Sequence, residues 1–490
     1  MTDSKLTIQE LETYLWKAAI NLRNKIDAGD YKVYIFPLLF YKRICDIYDE
    51  EYKNALTESK GKKDYATSQF VHNFQIPDGV HWNDLRNTSK NIGDKLQKNL
   101  RSIEKANKKR LIGIFGDTEW ANKDVLSDET LKNLIEDFSS INLSTKTVPD
   151  DLMGTGYEYL VKQFADDSGH TAAEFYTNRT VVTLMSKILA PEEGESIYDP
   201  TCGSGGMLLE AVNFVKRKGN PMTLKLFGQE KNTTTSGIAK MNLLLHGFQD
   251  AEIKRGDTLS EPLFLDETGS LRKFDVILAN PPYSISKWNQ KAWGQDPFGR
   301  NILGTPPKGK ADYAFIQHIL ASLSEKGRAA ILLPHGVLFR DGENELRENL
   351  VKSDKLECVI GLGSDLFYNS SMPSCIMILN NNKKWKKKIL LIDASDQTSK
   401  LDNMTFLSDS NIDSIFKNWS EFRVKKGISF IADENMIKQK QYSLNIKLYI
   451  KKLSKSKNEI NEILVEWKSF SQNTLQSISK IILDVEAIKN

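Results

Sequence analysis

A short polar motif directly follows a strongly apolar run in the middle of the chain. The run Phe274–Ala279 is bounded by turn-forming residues, which predicts a buried parallel strand. Asn280, Pro281, Pro282 and Tyr283 then stand at its carboxyl end, where open α/β sheets bind ligands. The Asn280 oxygen and the stiffly held Pro281 carbonyl can accept both N–H groups of an exocyclic amine, and Tyr283 can stack on the base. These residues predict methylation of a nucleobase amine, such as adenine N6; the alternative is that Asn-Pro-Pro only ends the strand.

A glycine-rich loop lies upstream of this motif. Residues 196–199 resemble a strand and residues 207–215 a helix, and the loop between them differs from the dinucleotide fingerprint and has no phosphate-binding lysine. A carboxylate at position 199 would repel an anionic ligand and attract a cation. S-Adenosylmethionine, which has an amino group and a sulfonium but no phosphate, fits; a purely structural glycine turn is the alternative. The candidate cofactor-binding residues here are Asp199, Thr201, Gly203, Ser204, Gly205 and Gly206.

Two further acids follow predicted strands. Glu230 ends the strand predicted at residues 224–229 and can accept the ribose hydroxyls of the cofactor. Asp257 follows a short strand and can accept from the cofactor's adenine amine. Either acid could instead cap a turn or a helix, but acids at three successive strand ends favour one pocket.

The glycine loop followed by Asn280–Tyr283 resembles the amino-methyltransferases of DNA. Longer segments are similar to one branch, the modification (M) subunit of type I restriction–modification systems, and this resemblance runs from the N-terminal helices to near residue 450. The segments that carry it are residues 151–160 (DLMGTGYEYL), 173–179 (AEFYTNR), 311–318 (ADYAFIQH) and 334–339 (PHGVLF).

The resemblance implies that one segment covers the methionine end of the cofactor. The family usually has glycine before the glutamate of this segment and proline before its arginine, whereas Ala173 and Asn178 stand here. Loss of the proline removes a φ restraint, so we expect a looser lid and altered cofactor affinity. The implied cofactor-binding residues are Glu174, Phe175, Tyr176, Thr177, Asn178 and Arg179.

Composition indicates a large cytoplasmic protein without a membrane segment. The four cysteines show no C-x-x-C pairing and the six histidines show no metal spacing, so we expect a reducing compartment and no metal. The chain has 67 basic and 64 acidic residues, a net charge of +3. This balance is unusual for a chain that binds DNA tightly alone, so a partner is expected to supply much of the affinity.

Two basic features could still contact DNA. The aromatic residues at 31–40 predict a core, but the adjacent basic edge Lys42-Arg43 could touch the DNA backbone. The long loop between Ser284 and Lys310 is typical of a lid or a DNA contact, and a disordered surface excursion is the alternative. This loop carries Trp288, Trp293 and Phe298 among Lys287, Lys291 and Arg300.

The secondary-structure pattern predicts three parts. Residues 1–148 form an α-helical N-terminal domain, with helices at residues 10–24, 31–48, 91–111 and 128–138. Residues 149–450 alternate strands and helices, which predicts an α/β, doubly wound, mostly parallel Rossmann-like methyltransferase sheet. Residues 451–490 form a charged amphipathic helical tail whose apolar stripe needs a partner surface. By the resemblance it docks on the specificity subunit; packing on its own chain is the alternative.

The function expected from these features is S-adenosylmethionine-dependent methylation of adenine N6 in double-stranded DNA. By the resemblance, the partners are a specificity (S) subunit, a second M subunit and restriction (R) subunits, and the full complex both protects and restricts DNA. Three alternatives remain open: methylation of a protein glutamine or an RNA base, a self-sufficient restriction–methylation enzyme, and a scaffold without catalysis.

Overall fold

The computed structural model describes residues 5–22, 26, 30–167, 177–366, 372–401, 404–451, 467–468 and 471. No helix in these ranges has both the length and the apolar character needed to cross a membrane. The predicted tail, residues 451–490, lies almost entirely outside the described residues.

Within the described ranges, helices precede the sheet and then alternate with its strands. The helices are α1 (Ile8–Ile20), α2 (Tyr31–Glu58), α3 (Lys63–Ala66), α4 (Trp82–Arg86), α5 (Ile92–Ala106), α6 (Lys108–Leu111), α7 (Asp128–Ser139), α8 (Asp150–Asp167), α9 (Arg179–Leu189), α10 (Gly206–Lys216), α11 (Thr233–Leu245), α12 (Gln290–Trp293), α13 (Asp312–Ser322), α14 (Asn344–Lys352), α15 (Asp409–Glu421) and α16 (Glu434–Gln439). The strands are β1 (Ser196–Asp199), β2 (Lys225–Glu230), β3 (Glu252–Arg255), β4 (Phe274–Ala279), β5 (Leu323–Pro334), β6 (Leu356–Leu362), β7 (Ser374–Asn380), β8 (Lys388–Ala394), β9 (Ser399–Leu401), β10 (Met404–Phe406) and β11 (Ser429–Asp433).

Nine of these strands form one twisted sheet in the order β11-β8-β6-β7-β5-β4-β1-β2-β3. Five of its eight pairings are parallel. The exceptions are β7, which is antiparallel to both neighbours, and the edge strand β11. The predicted doubly wound, mostly parallel fold class is confirmed, but periodicity alone did not reveal the reversed strands because buried strands of either direction have the same apolar pattern.

Side chains of the central strands alternate between two hydrophobic cores. In β4, Val276 and Leu278 pack in one core, and Ile277 and Ala279 pack in the other. Helices α9, α10 and α15 cover the first face, and α13, α14 and α16 cover the second. Both faces of β4 are therefore buried among apolar side chains. Polar residues can reach solvent or a ligand only at its carboxyl end.

The N-terminal helices share a separate core. It includes Tyr157 and Leu160 of α8 and one side of α11 through Ile238 and Met241. Because α11 also packs on the sheet through Leu243, the helical layer is docked directly on the sheet. Helix α8 lies after residue 148, so this core draws on both sides of the predicted boundary.

Two details of the helical layer differ from the sequence expectation. The helix expected over residues 91–111 is interrupted at Asn107, whose side chain bonds to both backbone groups of Gln75. Lys42 and Arg43, which we considered as contacts to the DNA backbone, are 5% and 1% exposed. Arg43 binds the carbonyl of Val148 at 2.6 Å and the Asp150 carboxylate at 2.7 Å, so it joins α2 to the start of α8.

Candidate active site

A cavity of about 790 Å³ opens at the carboxyl ends of β1, β2, β3 and β4. The strand order reverses at β1: the chain continues to β2 and β3 on one side of it and to β4 and β5 on the other. Such a switch point is where open α/β sheets bind ligands. The predicted site residues that line this cavity are Thr177, Arg179, Asp199, Thr201, Gly203, Ser204, Gly206, Glu230, Asp257, Asn280, Pro281, Pro282 and Tyr283. Asn178 and Gly205 stand outside its wall, and Glu174, Phe175 and Tyr176 lie outside the described residues.

The glycine loop wraps tightly between β1 and α10. Gly205 directly precedes α10 and has the left-handed conformation, with φ 81°, which glycine adopts without strain. Gly206 has no room for a side chain, since a Cβ there would lie 2.5 Å from Nη1 of Arg179. Arg179 donates to the Gly206 carbonyl at 2.6 Å and also pairs with Glu158 of α8. The arginine therefore ties the loop to the helical layer.

Asp199 is a buried carboxylate at the end of β1. It is 1% exposed, and its Oδ1 accepts from the backbone N–H of Thr201 at 2.9 Å. Its other oxygen, Oδ2, is buried and accepts no hydrogen bond from the part of the chain that the structure describes. Burial raises the pKa of Asp199 to about 8, and the nearby Glu230 carboxylate adds to the rise. A cationic group in the cavity would favour the ionised form and satisfy this oxygen.

Glu230 and Asp257 combine a turn-forming role with a place in the cavity wall. Glu230 accepts from the N–H of Gly203 at 3.1 Å and of Asn232 at 2.8 Å, so it joins β2 to the glycine loop. Asp257 accepts from the N–H of Leu259 at 3.0 Å and pairs with Lys231 at 2.7 Å. Both acids therefore cap turns, which was the alternative considered from the sequence, and both also line the cavity. Among the described residues, no group of three or more histidine, cysteine, aspartate or glutamate side chains is arranged to hold a metal.

The motif Asn280–Tyr283 leaves β4 at the cavity wall. The Asn280 amide donates from Nδ2 to Oγ1 of Thr177 at 3.0 Å, which fixes the plane of the side chain. Its Oδ1 is buried and accepts no hydrogen bond from the described residues. Pro281 is buried and Tyr283 is half-buried, and burial raises the pKa of the Tyr283 phenol. The motif places an acceptor oxygen and an aromatic ring in the wall of one cavity.

Asn178 stands directly before α9, where the family usually has proline. Its φ of −53° lies in the range that proline would impose. Its Oδ1 caps α9 by accepting from the N–H of Thr180 at 3.1 Å. Its Nδ2 donates to the carbonyls of Leu366 at 3.0 Å and Thr405 at 3.1 Å. These hydrogen bonds restrain Asn178 itself. Residues 173–176 lie outside the described residues, so the looser lid stays a prediction.

Sequence reasoning missed part of the wall near the catalytic motif. Ile285, Phe315 and Met372 line the cavity together with Trp288 and Lys287 of the loop after Tyr283. Met372 precedes β7 and Phe315 lies on α13, so they reach the site only through the fold. There were two sequence signals: the loop between residues 284 and 310, which contains Lys287 and Trp288, and the segment 311–318, which contains Phe315 and was noted for its resemblance without a role.

The loop between residues 284 and 310 is anchored by a buried arginine. Arg300 is 2% exposed and pairs with Asp296 at 2.6 Å. It also donates to the carbonyls of Thr258 at 2.8 Å and Leu259 at 2.9 Å, two residues of the cavity wall. Arg300 therefore acts inside the protein, which corrects its interpretation as one of the loop charges available to DNA.

Comparison with known proteins gives the class of this site. Residues 148–458 match the family model described as N-6 DNA Methylase, and residues 11–138 match the one described as HsdM N-terminal domain. Together with the sheet and its cavity, these matches define a methyltransferase directed at an amino nitrogen of DNA.

Two curated relatives are methylase subunits of type I restriction enzymes. The chain is 30% identical to the type I restriction enzyme MjaVIII methylase subunit of Methanocaldococcus jannaschii, over 97% of this chain and 84% of that protein. It is 26% identical to the MpnII methylase subunit of Mycoplasma pneumoniae, over 98% and 97% of the two chains. The type I restriction-modification methyltransferase subunit from Streptococcus thermophilus has a similar crystal structure, with a TM-score of 0.78 and 29% identity over 91% of this chain and 100% of that one. The chain belongs to the N-6 DNA methylase family and, within it, to the methylase subunits of type I restriction enzymes, which confirms the predicted enzyme class.

Proposed function

We propose that this chain uses S-adenosylmethionine to methylate adenine N6 in double-stranded DNA, in a complex whose specificity subunit selects the site. The observation that carries this proposal is the pair of buried acceptor oxygens, Oδ1 of Asn280 and Oδ2 of Asp199, in one cavity. The Asn280 oxygen can accept a hydrogen bond from the target amine, and the Asp199 oxygen can bind a cation.

The residues at the ends of β1, β2 and β3 fit S-adenosylmethionine. When bound, the cofactor supplies a methyl group on a positively charged sulfur. Asp199 would attract the cationic end, while Glu230 and Asp257 would accept from the ribose hydroxyls and the adenine amine. A phosphate-bearing cofactor is disfavoured, because three carboxylates line the cavity.

The residues at the end of β4 would hold the target base. Asn280 Oδ1 and the Pro281 carbonyl would accept the two N–H groups of the adenine amine and make its nitrogen a better nucleophile. Tyr283 would stack on the adenine after it leaves the duplex, and Trp288 and Phe315 add aromatic surface to the same wall. The amine's proton can pass to solvent after transfer, so a strong base is not required.

The proposed partners follow from charge and from the relatives. A net charge of +3 on 490 residues gives little non-specific attraction to phosphates. The relatives are named as subunits of restriction enzymes, so we assign sequence recognition to a specificity subunit and expect a second methylase subunit and restriction subunits in the full assembly. The tail at residues 451–490 remains the proposed docking element.

A labelled-methyl assay tests this proposal. The full chain, with and without its specificity subunit, is incubated with S-adenosylmethionine labelled in the methyl group and with DNA amplified in vitro, which carries no methylation. We expect label in DNA only when the specificity subunit is present. The exposed variant Asn54→Ala, on the outer surface of α2, serves as a matched control for Asn280→Ala and should label DNA as the wild type does.

The alternatives give different outcomes in the same assay. Label in added protein or RNA instead of DNA would overturn the proposal. Absence of label in every polymer, with intact cofactor binding, would favour a scaffold. Labelling of specific sites by the isolated chain would contradict the assigned need for a specificity subunit.

A further inference from the structure

The backbone immediately after the catalytic motif adopts an unfavourable conformation. Ser284 has φ 52°, in the left-handed region that residues with a Cβ occupy at a cost. Its N–H donates to Oδ1 of Asp312 at 2.9 Å, and its hydroxyl accepts from Nζ of Lys310 at 3.2 Å. The direction of the backbone after Tyr283 therefore depends on the contacts that Ser284 makes.

The Asp312 carboxylate is also fixed by an arginine. Asp312 is the first residue of α13, is 1% exposed, and accepts at Oδ2 from Nη1 of Arg340 at 2.6 Å. Arg340 also pairs with Glu343 at 3.2 Å. A Cβ at residue 336 would lie 2.6 Å from Nε of Arg340, so Gly336 makes room for the arginine.

Two segments without an assigned role thus meet behind the catalytic motif. Asp312 belongs to the segment 311–318 and Gly336 to the segment 334–339. Asp312 could simply favour the start of α13 through the helix dipole. However, its two oxygens are directed to Ser284 and Arg340, from other parts of the chain. Asp312 also lies close enough to contribute to the raised pKa of Tyr283, which burial dominates.

We propose that Asp312 is a positioning residue for methyl transfer, which holds the left-handed turn at Ser284 while Arg340 fixes its carboxylate. This inference rests on the proposed function. Asp312 is not part of the cavity wall, so its loss acts on the geometry of Asn280–Tyr283 and not on cofactor contacts. A displaced catalytic group can slow the chemical step on the order of 100-fold.

A rescue experiment separates positioning from general stability. Variants Asp312→Ala, Ser284→Gly and the double variant are compared in the complex with the specificity subunit, by single-turnover methyl transfer and by S-adenosylmethionine titration. We expect Asp312→Ala to lower the transfer rate on the order of 100-fold with cofactor affinity unchanged. Because glycine adopts a positive φ without strain, Ser284→Gly should restore much of the lost rate in the Asp312→Ala background and change little by itself.

The control is Glu195→Gln, which breaks the pair that Glu195 forms with Arg328 at 2.8 Å. It should lower the midpoint of thermal unfolding without changing the transfer rate. If Asp312→Ala does not fold, Asp312→Asn replaces it: the amide nitrogen of asparagine cannot accept from Arg340, so the side chain is no longer fixed. A smaller rate loss and the same rescue by Ser284→Gly are then expected. A wild-type rate in the Asp312 variants, or a loss that Ser284→Gly leaves untouched, would overturn the inference. Absence of DNA methylation by the wild-type complex would instead overturn the proposed function.

Discussion

In the cofactor half of the cavity each of the three acids is oriented by a neighbouring backbone N–H, whereas in the catalytic half Asn280 and Ser284 are oriented by distant segments. At the ends of β1, β2 and β3, the carboxylates of Asp199, Glu230 and Asp257 each accept from the N–H two residues further along. Such turns form wherever a short acidic side chain can reach its own backbone.

In the catalytic half, the polar contacts among the described residues come from distant parts of the chain. Asn280 is oriented by Thr177, 103 residues away, and Ser284 is held by Asp312, 28 residues away. The geometry of the catalytic motif therefore depends on the completed fold. Changes to the cofactor half should weaken binding, and changes to the catalytic half should slow chemistry.

The largest effect is expected from Asn280→Ala. Removal of an oriented acceptor from the reacting amine should lower the single-turnover rate by about 1,000-fold. Affinity for S-adenosylmethionine, measured by calorimetry, should stay near the wild-type value, because the three acids are unchanged. An equal loss of cofactor affinity and rate would show that the two halves are not separable.

Arg300→Gln should affect both halves, because Arg300 joins the loop after Tyr283 to the carbonyls of Thr258 and Leu259. Leaving Asp296 buried without its partner should lower the free energy of unfolding by about 3 kcal/mol. Denaturant titration measures this change. The exposed pair of Arg86 with Glu136 is the control, and Arg86→Gln should cost less than about 1 kcal/mol. Equal losses in both variants would contradict the anchoring role.

Asp199→Asn should weaken cofactor binding about tenfold or more, because a charge-assisted contact is lost. The pKa of Asp199 is about 8 in the folded protein against an ordinary 3.8. Between these values the folded state retains a proton that the unfolded state releases, so stability falls as pH rises to about 8. Asp199→Asn removes this loss and should unfold at a higher temperature than the wild type at pH 8.

The same pKa predicts how cofactor affinity depends on pH. A cation binds the ionised carboxylate, so wild-type affinity for S-adenosylmethionine should rise as pH increases toward about 8 and then level off. The Asp199→Asn protein should lack this dependence. A flat profile for the wild type would contradict the assignment of Asp199 to the cationic end.

The smallest effect is expected from Asn178→Ala. Loss of the α9 cap should lower the free energy of unfolding by about 1 kcal/mol. Because Asn178 stands outside the cavity wall, cofactor affinity should fall only slightly. Ser127→Ala, which removes the cap of α7 and also lies outside the cavity wall, provides a comparison. A large loss of affinity in Asn178→Ala alone would show that the lid is set by this residue.

The contrast between the halves also explains what the sequence could predict. The glycine loop, Glu230 and Asp257 each follow a short apolar run, so type and spacing were enough to assign them to strand ends. The sheet brings these ends together as parallel order requires. Strand β4 and its motif were found in the same way.

The supports of the catalytic half could not be derived from spacing. Thr177, Asp312 and Arg340 reach the motif through tertiary packing. The resemblance covered Thr177 and Asp312, but it did not predict that they contact Asn280 and Ser284. Arg300 was misjudged because a basic residue in a long loop resembles a surface charge until burial is known. Lys42 and Arg43 were misjudged for the same reason.

The nature of the methylated product tests the division of the cavity most directly. Wild-type and Asn280→Ala complexes are saturated with S-adenosylmethionine and unmethylated DNA, and the digested nucleosides are measured by mass spectrometry. We predict N6-methyl-2′-deoxyadenosine as the product of the wild type and almost none from the variant. A methylated cytosine, or equal yields from both proteins, would contradict the role assigned to Asn280.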